Sequence, residues 1–145
     1  MSFFRFSRRA VLSALVLSLP SCDYFEFVTP RVDIQVAREG DKYRFSFETC
    51  RGDIIGIPYI SIKEYSEKGP ASHTACLLWA EPSVPKIEGD WYYGEVPPGY
   101  ELQRCEPLKR GVPYEITVTG AGGGRRLFSL RADGSVELGA EGACR

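Results

Sequence analysis

The single histidine, His73, is where catalytic chemistry would have to start, because any Ser-His-Asp or Cys-His mechanism in this chain needs it. It lies three residues before Cys76, at the boundary between a polar loop and an apolar stretch. No glycine-flanked serine accompanies it, and the sequence contains no H-E-x-x-H, G-x-G-x-x-G or Walker pattern. We therefore predict that the protein is not an enzyme, that it has no catalytic residue, and that His73 is a surface or turn residue.

A glycine-rich segment, Gly122-Gly123-Gly124-Arg125-Arg126, looks at first like a cradle for phosphate. A phosphate site of this kind needs a helix after the glycines, since the helix amino end holds the anion. The segment lies instead between two predicted strands. We interpret it as a hairpin loop, and we predict no cofactor.

Acidic side chains offer a second kind of catalysis, because two carboxylates from any two strands can form a glycosidase-like pair. Nothing in the spacing singles out such a pair among the five candidates, Glu48, Asp53, Glu64, Glu88 and Asp90. A small carboxylate-dependent hydrolase therefore remains an alternative. A concave pocket with two convergent carboxylates, or with His73 beside an acid, would favour it.

Aromatic residues are the best candidates for a binding surface, because exposed rings on a β-sheet can hold a sugar or a peptide. The candidates are Trp79, Trp91, Tyr92, Tyr93 and Tyr100. If residues 91–93 lie on a strand, Tyr92 faces away from Trp91 and Tyr93, so at least one of the three rings is exposed. The alternative is that alternate members of the group fill the core.

The first 21 residues are typical of an export signal. Arg5, Arg8 and Arg9 occur without an acidic residue and precede the apolar run 10–19. That run is about half of the roughly 20 residues that a membrane-spanning helix needs. We therefore predict a cleaved signal peptide over residues 1–21 and no permanent transmembrane span.

The sequence Leu19-Pro20-Ser21-Cys22 resembles the lipobox of bacterial lipoproteins, although Pro20 replaces the usual small or hydroxyl residue. The resemblance implies that the signal is cut before Cys22, which is then diacylated through sulfur and often acylated on its amino group. Two or more acyl chains give stable anchoring, whereas one chain does not. The protein would then face the periplasm from a membrane of the cell envelope. An ordinary signal peptide with an incidental cysteine is the alternative.

Two further features concern the route and the membrane. Residues 7–12 are similar to a twin-arginine motif with Val11 in place of the usual Phe, but we favour general secretion. Asp23 resembles the inner-membrane retention mark of enterobacterial lipoproteins, which favours that membrane. Residues 22–31 then form a lipidated tether, whose nine residues before Arg31 reach at most about 30 Å at roughly 3.3 Å per residue.

The remaining four cysteines are an even set, which in an exported chain is typical of two disulfides. They are Cys50, Cys76, Cys105 and Cys144. None of the spacings is C-x-x-C, and we predict no metal site. Three pairings are possible. We favour Cys76 with Cys105 and Cys50 with Cys144, since the second bond would tie down the carboxyl tail.

The composition limits the possible partners and folds. The 145 residues include 18 Lys and Arg against 19 Asp and Glu, so the chain lacks the basic surplus of a nucleic-acid-binding protein. An apolar fraction of 43% excludes disorder of the whole chain, and 15 Gly with 10 Pro favour strands joined by turns. We expect the membrane, and an envelope protein or glycan, as partners.

Alternating apolar residues predict short strands throughout residues 32–145. They occur at 32–36, 43–47, 54–65 with a break at Pro58, 73–80, 90–96, 101–105, 114–118, 125–132 and 136–138. Pro58 suggests an edge position or a bulge, and Asp133-Gly134 a tight hairpin. The spacing predicts a single antiparallel β-sandwich, with a small barrel as the alternative.

The stretch from Trp91 to Val118 resembles a pattern in small exported bacterial proteins with immunoglobulin-like or fibronectin-type folds. The resemblance implies a sandwich and no activity. We interpret the protein as a lipid-anchored envelope protein that acts as a non-catalytic binding or structural module. An inhibitor or immunity protein against an envelope-acting hydrolase is the alternative among binding proteins.

Overall fold

The computed structural model describes residues 31–53, 56–69, 73–81, 87–120, 122–139 and 144. The predicted signal peptide, Cys22 and nearly all of the tether lie outside these residues. Within them, every regular element is a strand. The strands are β1 (Val32–Glu39), β2 (Lys42–Thr49), β3 (Gly56–Ile57), β4 (Tyr59–Glu64), β5 (Thr74–Ala80), β6 (Ile87–Tyr92), β7 (Tyr100–Cys105), β8 (Pro113–Thr119), β9 (Gly123–Leu130) and β10 (Val136–Leu138).

The strands form two antiparallel sheets that pack face to face. One sheet has the order β1-β2-β6-β3, and the other has the order β10-β9-β8-β4-β5-β7. The two sheets are separate and open, so the described chain is a β-sandwich rather than a barrel. The predicted fold class is confirmed.

The β1–β2 hairpin shows why these residues form strands. Val32, Ile34 and Val36 are buried on one face of β1, and Phe45 and Phe47 are buried on the facing strand β2. Their alternation with exposed residues is the period of two that the sequence predicts for a half-buried strand. A two-residue turn, with Gly40 at a φ of 62°, joins the strands.

At Pro58 the chain crosses from one sheet to the other. Gly56 and Ile57 pair with β6 in the four-stranded sheet, whereas Tyr59 begins the pairing of β4 with β5 and β8 in the six-stranded sheet. Proline has no N–H to give to a ladder. The break that suggested an edge or a bulge is therefore the crossover between the sheets.

Two predicted strands have the wrong bounds. β6 covers Ile87–Tyr92 rather than 90–96, because Gly94 at a φ of 82° turns the chain and the Trp91 indole N–H donates to the Glu95 carbonyl at 3.0 Å. β9 covers Gly123–Leu130 rather than 125–132, so two of the predicted loop glycines belong to the strand.

Glycine at position 124 allows β1 to lie against β9. A Cβ atom there would stand 2.3 Å from the carbonyl oxygen of Val32. Arg31, the residue before β1, forms an isolated parallel bridge with Gly123. The chain entering β1 is thereby joined to the six-stranded sheet, which closes one corner of the sandwich.

Tyr100 links the two sheets through its hydroxyl. Its side chain is 7% exposed. The hydroxyl donates to the carbonyl oxygen of Ile57 on β3 and accepts the amide N–H of Ile87 on β6 at 2.7 Å. Burial raises the pKa of this hydroxyl, and the bond from the Ile87 amide lowers it by less. Because Tyr100 begins β7 of the six-stranded sheet, these bonds tie that sheet to the other one.

Two disulfides complete the framework, and they are the pairs that we favoured from the sequence. Cys76 and Cys105 are directly opposite each other on β5 and β7. Cys50, just after β2, bonds to Cys144 near the carboxyl end, 94 residues away. In the chain-entropy account each bond contributes about 3 to 5 kcal/mol. Disulfides of this kind are typical of exported proteins in oxidising compartments.

Candidate binding site

The five aromatic side chains predicted to form a binding surface do not lie together. Trp91 is 2% exposed and Tyr100 is 7% exposed, so both belong to the core. Tyr93 is partly buried against the core, and its hydroxyl donates to the Glu106 carbonyl at 2.5 Å. Trp79 and Tyr92 lie on strands of different sheets. The proposed single surface is therefore divided between the core and two opposite faces.

The alternation expected at residues 91–93 is present. Trp91 is in the core while Tyr92 lies on the outer face of the four-stranded sheet, where its hydroxyl donates to the Glu39 carboxylate at 2.9 Å. That hydrogen bond is the main reason why the pKa of Tyr92 is raised. The Lys42 ammonium lies 5.9 Å from the centre of the Tyr92 ring. Tyr92 is thus held by its own neighbours.

Trp79 has an aromatic partner that the sequence analysis missed. Tyr59 on β4 is directly opposite Trp79 on β5, and both side chains are half-buried. Thr119 on β8 is opposite Tyr59 on its other side, and Glu101 on β7 is opposite Trp79. These four residues, which we call the aromatic row, run across four strands over about 14 Å at the usual strand spacing of about 4.8 Å.

A second row runs parallel to the aromatic row, two residues further along each central strand. Its members are Arg125, Thr117, Ser61, Leu77 and Arg104, in that order across β9, β8, β4, β5 and β7. Both rows lie on the outer face, because the residues between them, Ile60, Leu78 and Val118, are fully buried in the core. The middle of the two rows thus holds Tyr59, Trp79 and Leu77 together with Ser61. Arg125 and Arg104 stand at the two ends of the second row.

Two polar atoms at the centre of these rows are buried without a hydrogen bond. They are the hydroxyl oxygen of Ser61, a residue that is 2% exposed, and the indole nitrogen of Trp79. Neither atom has a partner within the part of the chain that the structure describes. A buried polar group without a partner costs about 1–3 kcal/mol, which makes such atoms rare in native proteins.

The site residues that the sequence analysis missed could be predicted only in part. Tyr59, Ser61 and Lys63 alternate with Ile60 and Ile62, and this alternation places the first three on one face of a strand. The direct opposition of Tyr59 and Trp79 depends on the pairing of β4 with β5. Nothing local in the sequence specifies that register.

His73 lies beside an acid, as the hydrolase alternative requires. Its Nε2 atom is 2.8 Å from Oε2 of Glu106, the residue that follows β7, and Arg104 lies 3.4 Å from the same carboxylate. The hydrogen bond from His73 is the main reason why the pKa of Glu106 is lowered. The two side chains are 35% and 42% exposed. No hydroxyl or thiol side chain is hydrogen-bonded to His73 among the described residues, so no triad is assembled there.

An open depression of about 380 Å³ lies on the outer face of the four-stranded sheet. Its lining consists of Asp33, Gln35, Arg44, Ser46, Glu48 and Asp90, and we call it the acidic depression. Asp33 is directly opposite Glu48, while Arg44 forms ion pairs with Glu39 at 3.1 Å and with Asp90 at 3.4 Å. Glu48 and Asp90 are thus the only sequence candidates in this lining.

The other candidates have separate surroundings. Glu64 pairs with Lys109 at 3.1 Å, and Asp53 and Glu88 are exposed away from the depression. Gly122 leads directly into β9 without a helix. Within the described ranges, no three His, Cys, Asp or Glu side chains are grouped as a metal site would require. Nor do the same ranges contain a helix with the length and apolarity that a membrane span requires.

Comparison of the chain with protein-family models, with curated proteins and with solved structures gave no match.

Proposed function

We propose that this protein is a lipid-anchored, non-catalytic binding protein of the bacterial envelope, which binds its partner through the aromatic row and the second row. The observation that carries the proposal is the opposed pair Tyr59 and Trp79 on the outer face of a sheet. Both rings are partly buried by their neighbours yet lie outside the core cluster. Their burial therefore does not serve the packing of the two sheets.

The arrangement of the two rows supports recognition. Tyr and Trp are enriched in the central, energetically dominant part of binding surfaces, whereas charged residues lie at the rim. Here Tyr59, Trp79 and Leu77 occupy the centre, and Arg104 and Arg125 lie at opposite ends of the second row.

The proposed location is supported by two independent features. The basic and apolar segments before Cys22, together with the resemblance to a lipobox, favour export and lipid attachment. The two disulfides favour an oxidising compartment.

Affinity capture from envelope extract tests the binding function. The wild type should retain a partner that the variant Tyr59→Ala/Trp79→Ala loses, and the variant Tyr92→Ala, on the opposite sheet, should retain it. Equal capture by all three proteins would contradict the proposal. A stoichiometric hydrolase among the retained proteins would specify the inhibitor or immunity role.

Cell fractionation tests the anchor. The variant Cys22→Ala should move from the membrane fraction to the soluble fraction. Retention of that variant in the membrane would contradict lipid attachment at this residue.

A hydrolase is the second candidate, and one observation favours it. Asp33 and Glu48 are directly opposite each other in the acidic depression. Directly opposed residues have Cβ atoms about 4.5–5.5 Å apart, which is compatible with the separation of about 5–5.5 Å between the carboxyl groups of a retaining glycosidase. Turnover of peptidoglycan or of an ester by the purified protein, lost in Asp33→Asn and Glu48→Gln, would establish this function instead.

A further inference from the structure

We infer that the ligand of the aromatic row is a carbohydrate, bound as a glycan chain that lies across the strands. This inference rests on the proposed binding function and specifies its ligand.

The size of the apolar centre favours a ligand over a protein partner. Tyr59, Trp79 and Leu77 occupy two adjacent strands and two successive outward positions on them. At the usual strand spacing and rise, the Cα positions of this centre span about 5 by 7 Å. A stable protein–protein interface buries about 800 Å² on each partner. The centre is too small to be the core of such an interface, but it matches the face of one or two sugar rings.

The chemistry of the row also matches a sugar. A pyranose ring has a C–H face that can stack on an aromatic ring, and hydroxyl groups around its edge. Ligand sites combine apolar and aromatic lining with a few polar groups that fix orientation. Here the rings of Tyr59 and Trp79 lie between the exposed hydroxyl of Thr119 and the exposed carboxylate of Glu101. A chain of sugars lying along the row would meet stacking surfaces in the middle and hydrogen-bonding groups at both ends.

The two unpartnered polar atoms give a second, independent reason. The Ser61 hydroxyl and the Trp79 indole N–H lie at the centre of the two rows. A ligand rich in hydroxyl groups can accept from the indole and can both donate to and accept from Ser61. Ser61 is 2% exposed and the indole nitrogen is buried, so contact with a ligand requires movement of the side chains around them. An apolar ligand would leave their unfavourable burial unchanged.

Tryptophan fluorescence can measure binding directly. The chain has two tryptophans, and Trp91 is 2% exposed in the core, so a ligand-dependent change reports on Trp79. We would titrate the full-length mature protein in detergent with the tetrasaccharide of N-acetylglucosamine and with cellotetraose. A tetrapeptide serves as the comparison ligand. At least one saccharide should give saturable binding, and the tetrapeptide should give none.

Variants of the row identify the site. Tyr59→Ala should weaken saccharide binding at least tenfold, because one of the two stacking rings is lost. Glu101→Gln, an exposed substitution that does not threaten folding, should weaken it severalfold. Tyr92→Ala, on the opposite sheet, should leave the affinity unchanged. Equal affinity of the wild type, Tyr59→Ala and Glu101→Gln would overturn the assignment.

The failure of this inference can be distinguished from failure of the binding function. If neither saccharide binds while envelope capture still requires Tyr59 and Trp79, the ligand is not a carbohydrate and the binding function stands. If capture is also independent of both residues, both proposals are wrong.

Discussion

The outer faces of the two sheets differ in how their side chains are satisfied. On the four-stranded sheet, Arg44 forms ion pairs with Glu39 at 3.1 Å and with Asp90 at 3.4 Å. On the six-stranded sheet, Tyr59 and Trp79 are only half-buried, and the buried Ser61 hydroxyl has no partner among the described residues. The comparison indicates that charge alone does not mark a recognition surface. The face that carries the half-buried aromatic pair is the better candidate.

Removal of the Tyr100 hydroxyl should have the largest effect, because it joins the sheets that carry both faces. Tyr100→Phe leaves the Ile57 carbonyl and the Ile87 amide buried without this partner. We expect a loss of about 2 to 4 kcal/mol in the free energy of unfolding, measured with urea. Tyr92→Phe loses an exposed hydrogen bond, and its effect should remain within about 0.5 kcal/mol. Equal effects of the two variants would contradict the proposed link between the sheets.

Substitution of the unpartnered serine tests the difference between the faces directly. Ser61→Ala removes a buried hydroxyl that has no hydrogen bond in the described structure, and it should raise the free energy of unfolding by about 1 kcal/mol. Ser46→Ala, at the acidic depression, is the matched control and should change stability by less than about 0.5 kcal/mol. A clear destabilisation by Ser61→Ala would show that this hydroxyl has a partner.

Neutralisation of Asp33, on the outer face of the four-stranded sheet, should stabilise the protein. Asp33 is directly opposite Glu48, and like charges opposed on neighbouring strands are unfavourable. Asp33→Asn should therefore raise stability by about 0.2 to 0.5 kcal/mol at low ionic strength. The gain should disappear in about 1 M salt, where the Debye length is about 3 Å. Glu101→Gln, whose opposite residue is Trp79, should show no such dependence on salt.

The smallest effect concerns Glu106. Its pKa is lowered, chiefly by the hydrogen bond from His73. Because the folded-state pKa is below the unfolded value, the stability contribution is present above the unfolded pKa and is lost as pH falls through the folded pKa. His73→Ala should move the pKa of Glu106 upward in a carbon NMR titration, and Lys42→Ala should not. An unchanged pKa in His73→Ala would show that another group lowers it.

Local patterns predicted the strands and the framework but not the site. Period-two alternation identifies the buried faces of β1 and β2, and the even cysteine set identifies two disulfides, because both depend on neighbouring residues or on simple counting. The crossover at Pro58 and the opposition of Tyr59 and Trp79 depend on which sheet each strand joins. That choice is made by contacts between distant residues, and a single sequence does not show it.

The bridge between Arg31 and Gly123 has a consequence for how far the ligand can be from the membrane. Gly123 is opposite Thr119, so the chain enters the domain in line with the aromatic row. If Cys22 carries lipid as proposed, nine residues span from the bilayer to this point, which is about 30 Å at most. The aromatic row could then bind only ligands that lie in a thin layer next to the bilayer. Polymers beyond that layer would not be bound. Insertion of residues into the tether should widen this layer without changing the affinity of the isolated site.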